Sequence, residues 1–317
     1  MRWALTAAVL LLSACRTAAP PAVEPPIPDG AEAVSWLGTP LVAPELAPDV
    51  KAQREEQLAA ARREYERNPA SADAIIWLGR RTAYLGRYRE AIRIFSEGIA
   101  KHPRDARMYR HRGHRYITLR QLDAAISDLQ RADELTRGKA DEIEPDGLPN
   151  ARNTPIGSLQ SNICYHLGLA WYLKGDFEKA LPVYERCNRL STNPDRLVST
   201  THWLYMTLRR LGRTADAEKV LAPISSSLEV IENSSYHKLT LMYSGEIAPE
   251  ELAGENPSTT EGATILYGVG NWYLYHGQPD KGMEIFRRIV DGGAWAAFGF
   301  LGAEAELARF SSTKRNS

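Results

Sequence analysis

His111 and His114 stand three residues apart in a stretch, 101–120, that holds seven Lys or Arg and one Asp. On a helix that spacing puts both imidazoles on one face. Paired imidazoles suit zinc when a carboxylate or thiolate completes the set. Here the near neighbours are Arg107 and Arg110, whose charges repel a cation. The same residues suit an anion better, because guanidinium forks bind carboxylates bidentately and histidine adds a pH-sensitive contact. Glu142, Glu144 and Asp146 read as a solvated loop rather than as an acid–base pair. There is no Gly-x-Ser-x-Gly elbow, no His-Glu-x-x-His and no phosphate-binding glycine loop. The sequence therefore predicts a non-catalytic protein with no metal and no cofactor.

The rest of the chain must position these groups. Its 317 residues carry 39 basic against 39 acidic side chains, with 44% hydrophobic and 25% charged residues. That composition excludes disorder over the whole length and a polytopic membrane protein. The absence of a net positive field argues against nucleic acid as a partner.

The N-terminus reads as an address. Arg2 precedes an apolar run from Trp3 to Leu12, too short to span a bilayer as a mature helix. The run ends in Leu12-Ser13-Ala14-Cys15, which resembles the lipobox of bacterial lipoproteins. The alternative is an ordinary signal peptide that contains a cysteine. The resemblance implies cleavage before Cys15, diacylation of its sulfur and stable anchoring by two or three acyl chains. Arg16, rather than Asp, follows the cysteine, which implies an outer-membrane anchor facing the periplasm. Residues 16–48 hold eight prolines and read as a semi-rigid or disordered tether.

Beyond the tether the sequence repeats itself. Gly79 and Gly113 are 34 residues apart, as are Ala91 and Ala125, and Phe95 and Leu129. The first unit, from Ala72, carries Leu78, Gly79, Gly86, Tyr88, Ala91, Phe95 and Pro103. The third, 161–194, carries Leu167, Gly168, Trp171, Gly175, Phe177, Ala180 and Tyr184. This pattern resembles the tetratricopeptide repeat over about residues 50–310. A second unit starts at Ala106, a fourth near Val198, a degenerate one spans 233–256, and a fifth starts at Ala263. Segments 49–68 and 295–310 read as caps. Residues 138–160 interrupt the array, and an insertion of this length is expected to be functional or disordered. It is placed as a wall over the groove between units two and three. Three departures stand out: Pro182 should kink its helix, Arg120 replaces a turn glycine, and Gly282 replaces a packing alanine.

The resemblance implies an all-α, right-handed solenoid over residues 49–317, whose first helices line a concave groove. It places Trp77, Arg80, Tyr84, Arg107, Arg110, His111, His114, Asn162, Tyr165, His166, His202, Trp203 and Asn271 in that groove. Arginines and aromatics suit a protein or extended peptide partner, and a glycan or small anionic ligand is the alternative. It also sets Cys164 and Cys187 close together within unit three. They are expected either as a disulfide in an oxidising envelope or as two buried thiols.

Overall fold

The computed structural model describes residues 27–316, with side chains described to 312. The lipobox and its Cys15 lie outside the described residues. A short antiparallel hairpin, β1 (Ala31–Val34) with β2 (Pro40–Val42), precedes the helices. Residues 31–48 are therefore not all tether. Ala31, Ala33 and Leu41 are buried, and the hairpin packs onto the array.

Helix α1 (Pro48–Arg67) leads into antiparallel pairs. They are α2 (Ala72–Tyr84) with α3 (Tyr88–Lys101), α4 (Ala106–Thr118) with α5 (Leu122–Thr136), and α6 (Leu159–Lys174) with α7 (Phe177–Arg189). The array continues through α8 (Pro194–Arg210) with a short α9 (Thr214–Val220), and α10 (Ser234–Ser244) with a four-residue α11 (Pro249–Leu252). It ends in α12 (Thr260–Tyr275) with α13 (Pro279–Asp291), and α14 (Phe298–Asn316). The degenerate unit expected over 233–256 is thus a helix pair whose second member is almost lost. None of the described helices is long and apolar enough to cross a membrane.

One contact recurs in four units and explains why these segments pair. A glycine on the first helix faces a bulky side chain sixteen residues later on the second. Gly79 meets the ring of Phe95, Gly113 meets Leu129, Gly168 meets the ring of Tyr184, and Gly270 meets the ring of Phe286. A Cβ on any of these glycines would lie 2.5–2.8 Å from that neighbour. The close approach lets the large side chain fill the inter-helix space at interior density. Side-chain caps start several helices. Ser71, Asp105, Asn193 and Thr259 each accept a hydrogen bond from a backbone N–H of the first turn.

Of the three sequence departures, Pro182 does not interrupt its helix: α7 runs through it as one element. Pro182 and Glu178 are both exposed, so water satisfies the carbonyl that the missing N–H leaves free. Gly282 takes its place because a Cβ there would sit 2.8 Å from the Gly270 carbonyl oxygen. Arg120 adopts φ 66°, the left-handed conformation that the other units give to glycine. Its side chain supplies the reason for keeping it, as described below.

The C-terminal helix departs most from expectation. Instead of only capping the array, α14 turns back along the concave side. It packs on α12 and α13 and reaches α6. Gly299 lies against the Ala263 backbone, and Gly302 lies against the Tyr267 ring. Glu304, fully buried, pairs with Arg120 through Nη2 at 2.5 Å and Nε at 3.2 Å. The same carboxylate accepts the backbone N–H of Trp36, and Arg120 also donates to the Trp295 carbonyl. Trp295 Nε1 donates to the Val42 carbonyl at 2.7 Å. One buried ion pair thus ties the N-terminal hairpin, the second unit and the C-terminal helix together. Glu306 makes a second tie, to Arg210 at 2.9 Å.

Cys164 on α6 and Cys187 on α7 are joined as a disulfide, with Cα atoms 5.7 Å apart and 23 residues of separation. A loop of that length contributes about 3 kcal/mol on the chain-entropy account. Urea unfolding with and without reductant is expected to show a loss of that order. An unchanged midpoint would mean that burial alone holds the two helices.

Candidate functional site

A cavity of about 500 Å³ opens on the concave side between the first helices, the insertion and the start of α14. Arg80 and Tyr84 come from α2, Arg110 from α4, and Asn162, Tyr165 and His166 from α6. These six are the sequence-expected groove residues that the structure brings together. The insertion adds Glu144, Pro145, Asp146 and Gly147 as one wall, and Phe298 of α14 closes another side. Phe298 packs on the rings of His114, His166 and Tyr165, with centroids 5.4, 5.7 and 6.1 Å apart.

Of the remaining expected groove residues, His111 and His114 line a small adjoining cavity of about 130 Å³ that shares Arg80, Tyr84, Arg110 and Glu144, and the others lie elsewhere. Trp77 stacks under Arg80, 4.4 Å from its guanidinium carbon, outside the cavity. Arg107 is taken up by Asp105 and Asp73, each at 2.6 Å, and stitches unit two to unit one. His111 stacks on Phe95 of the core at 5.6 Å, behind Arg110. His114 is half-buried, with its ring 4.3 Å from His166. His202 and Trp203 are core residues, at 0% and 1% exposure, and Trp203 Nε1 donates to the Tyr165 hydroxyl. Asn271, also fully buried, bonds the Tyr267 carbonyl and the Tyr275 hydroxyl. These last three are covered because α8 and α12 lie under their neighbours and under α14.

The insertion is solvent-exposed over most of its length, Glu142 included, but Glu144 and Asp146 are half-buried against the array. Residues 142–148 run through the concave face as an extended segment held by side chains of units one to three. Arg80 Nη2 donates to the Pro145 carbonyl at 2.8 Å, and Arg81 Nη1 donates to the Gly147 carbonyl at 2.7 Å. Glu144, with its side chain 9% exposed, pairs with Arg110 Nε at 3.0 Å and accepts from Asn162 Nδ2 at 3.2 Å. Its other oxygen lies 3.8 Å from His111 Nε2. Among the described residues no three His, Cys, Asp or Glu side chains are grouped to hold a metal ion.

The sequence reading missed two charged residues that shape the site. Arg196, 7% exposed, donates through Nη1 to Asn162 Oδ1 at 2.8 Å, while its Nε and Nη2 have no hydrogen-bond partner. Burial, followed by the nearby Arg110 charge, lowers the guanidinium pKa to about 10. Strict use of the 34-residue period would have found it, since Arg196 follows Asn162 by 34. Placing unit four at Val198 rather than at 195 hid the correspondence. The same shift puts His202 at the position of the packing glycine, which is why it is buried.

Asp195 is the second. It is 1% exposed, and its carboxylate accepts from the backbone N–H groups of Ile231, Glu232 and Asn233 at 2.7–3.1 Å. That clamp presents Glu232 at the cavity mouth, where it also accepts from Asn150 of the insertion. Asp195→Ala orphans three donors and is expected to cost about 2–3 kcal/mol, discounted because water can reach the loop after it loosens. Urea unfolding and limited proteolysis at 222–233 would show it. Unchanged cleavage would contradict the clamp.

Residues 161–194 match the tetratricopeptide repeat family. A 141-residue stretch is 26% identical to the BBSome complex member BBS4 of Bos taurus, covering 44% of this chain and 23% of the bovine protein. A tetratricopeptide repeat protein from Parabacteroides merdae aligns at TM-score 0.44 and 14% identity, over 80% of this chain and 92% of that one. YrrB, a TPR protein with an unusual peptide-binding site, aligns at TM-score 0.42 and 15% identity, over 74% and 92%.

Proposed function

We propose that this tetratricopeptide-repeat array is a non-catalytic scaffold that holds a protein partner by a short extended segment seated in the concave cavity. The carrying observation is the way the insertion is held. The arginines of α2 already bind two backbone carbonyls of an extended segment, 142–148, by charge-assisted hydrogen bonds, and Arg110 of α4 holds its Glu144 carboxylate as an ion pair. A partner segment laid beside it would meet Arg196, Tyr84, Tyr165 and Phe298 in a preformed wall, so little is lost in ordering the receptor. The insertion and α14 occupy much of the concave side, so the partner enters by a few residues rather than along the whole groove.

The same cavity size also suits a second reading, a small anionic ligand or a glycan at the envelope. Under both readings the array is an envelope lipoprotein anchored through Cys15, at the outer membrane facing the periplasm. Cys15→Ser is expected to abolish acyl labelling and to release the protein from membranes. Retention of label would refute the anchor assignment.

Affinity capture from envelope extract tests the binding reading. Wild type should enrich a partner that Arg196→Gln loses by roughly tenfold or more, the loss of one charge-assisted contact, and that Arg80→Gln also loses by releasing the insertion wall at Pro145. Equal recovery by folded wild type and both variants would place the partner elsewhere. Recovery of none, with a thermal shift on adding a small carboxylate or sugar, would favour the second reading.

A further inference from the structure

We propose that the cavity takes a zwitterionic amino-acid-type ligand, with a carboxylate on Arg196 and an ammonium group at Asp146 and Glu232. This rests on the concave cavity being the binding site and deepens its small-ligand reading, since a zwitterion carries both charged ends within a few residues, as a segment of a protein partner does not. Two unpaired groups of opposite sign share one cavity. The guanidinium of Arg196 is more than nine-tenths buried, yet its one hydrogen bond goes to a neutral amide oxygen. Asp141 and Glu144 lie close enough to favour its charge but neither pairs with it directly; a buried charge with no direct ion pair is costly, and here an anion has room to approach. Asp146 is half-buried, and its Oδ2, which is out of solvent, accepts no hydrogen bond. Burial, and then the Glu232 charge beside it, raise the Asp146 pKa against the lowering by Arg80, whose Nη2 is committed to the Pro145 carbonyl.

The two groups do not pair with each other although both line the cavity, so a ligand can bridge what the protein leaves open. Arg110 also has an Nε without a hydrogen bond, but its charge is already paired with Glu144 at 3.0 Å, whereas Arg196 has no direct ion pair. Glu232 and Glu261 at the mouth add to the negative rim. A cavity of about 500 Å³ has room for an amino acid or a peptide of a few residues. The aromatic walls of Tyr84, Tyr165, Tyr236 and Phe298 would take its side chains.

Calorimetric titration tests this with four probes at physiological salt: alanine, trialanine, N-acetyl-trialanine and trialanine amide. Trialanine or alanine should bind saturably, and the two capped peptides should each bind roughly tenfold or more weakly. Arg196→Gln should erase the difference between trialanine and its amide while leaving the dependence on the free amine. Asp146→Asn should do the reverse. Preference for trialanine over alanine would identify a peptide source, and the opposite order a free amino acid. No saturable binding by either, or equal binding by capped and free peptides, overturns the proposal. If that happens while partner capture still depends on Arg196, the scaffold reading stands and only the ligand class fails.

Discussion

At pH 5 the array is expected to be markedly less stable than at pH 7.5. His111, His166 and His202 are at most 6% exposed. Burial drives the pKa of all three down, to about 3 for His202 and well below the ordinary value for the other two. For His111 the charges of Arg110, Arg80 and Arg115 add to the effect, and for His166 those of Arg110, Arg115 and Arg196 add. The Asn162 carbonyl opposes it at His166. Each folded pKa lies below the unfolded value near 6.5, so below that pH the unfolded chain takes the proton first. Stability from these groups is therefore present above about pH 6.5 and is lost as pH falls towards the folded values. Each such group removes at most about 1.4 kcal/mol per pH unit while it remains neutral in the fold, against a typical total of about 5–15. Urea unfolding at a series of pH values measures the slope. His202→Gln should flatten it by about 1.4 kcal/mol per unit. Equal stability at pH 7.5 and 5 would contradict neutral burial.

Arg120→Ala and Glu304→Ala are each expected to destabilise the fold by about 3–5 kcal/mol, because each leaves the other charge buried and unpaired. The pair is deeply shielded, with side chains 3% and 0% exposed. Arg120→Gly separates this role from turn geometry. Glycine relieves a left-handed strain of about 1–2 kcal/mol, yet Glu304 would still lose its counter-ion, so a net loss is expected. A variant as stable as wild type would show that Arg120 is only a turn residue. In the double variant Arg120→Gly, Glu304→Gln the loss should shrink, since an amide is cheaper to bury than an unpaired carboxylate. Loosening this lock frees α14 from the concave side. Phe298, four residues before Gly302 on that helix, would then leave the cavity wall.

The helix pairs were legible because their signal is local and periodic. Gly79, Gly113, Gly168 and Gly270 each announce a close approach that the chain repeats, and the bulky partner follows at fixed spacing. The Arg–aromatic character of the groove was legible for the same reason, through Arg80, Tyr84, Arg110, Asn162, Tyr165 and His166. What the sequence hid depends on contacts across the whole array. Nothing near Glu304 in the chain says that it meets Arg120, 184 residues away. Glu144 looks like a loop carboxylate until Arg110 and Asn162 are brought to it. Trp203 and Asn271 share the groove register but are covered by neighbours that no local pattern encodes. Arg196 was within reach of the repeat arithmetic and was lost to a three-residue error in where unit four begins.

The central claim is that the concave cavity is where the partner sits. Site-specific photocrosslinking tests it most directly, with a crosslinker replacing Glu261 at the mouth and a control replacing exposed Arg93 on α3. Adducts from position 261 but not 93, lost when Arg196→Gln is added, are the predicted result. Adducts from 93 but not 261, or adducts from 261 indifferent to Arg196→Gln, would contradict it.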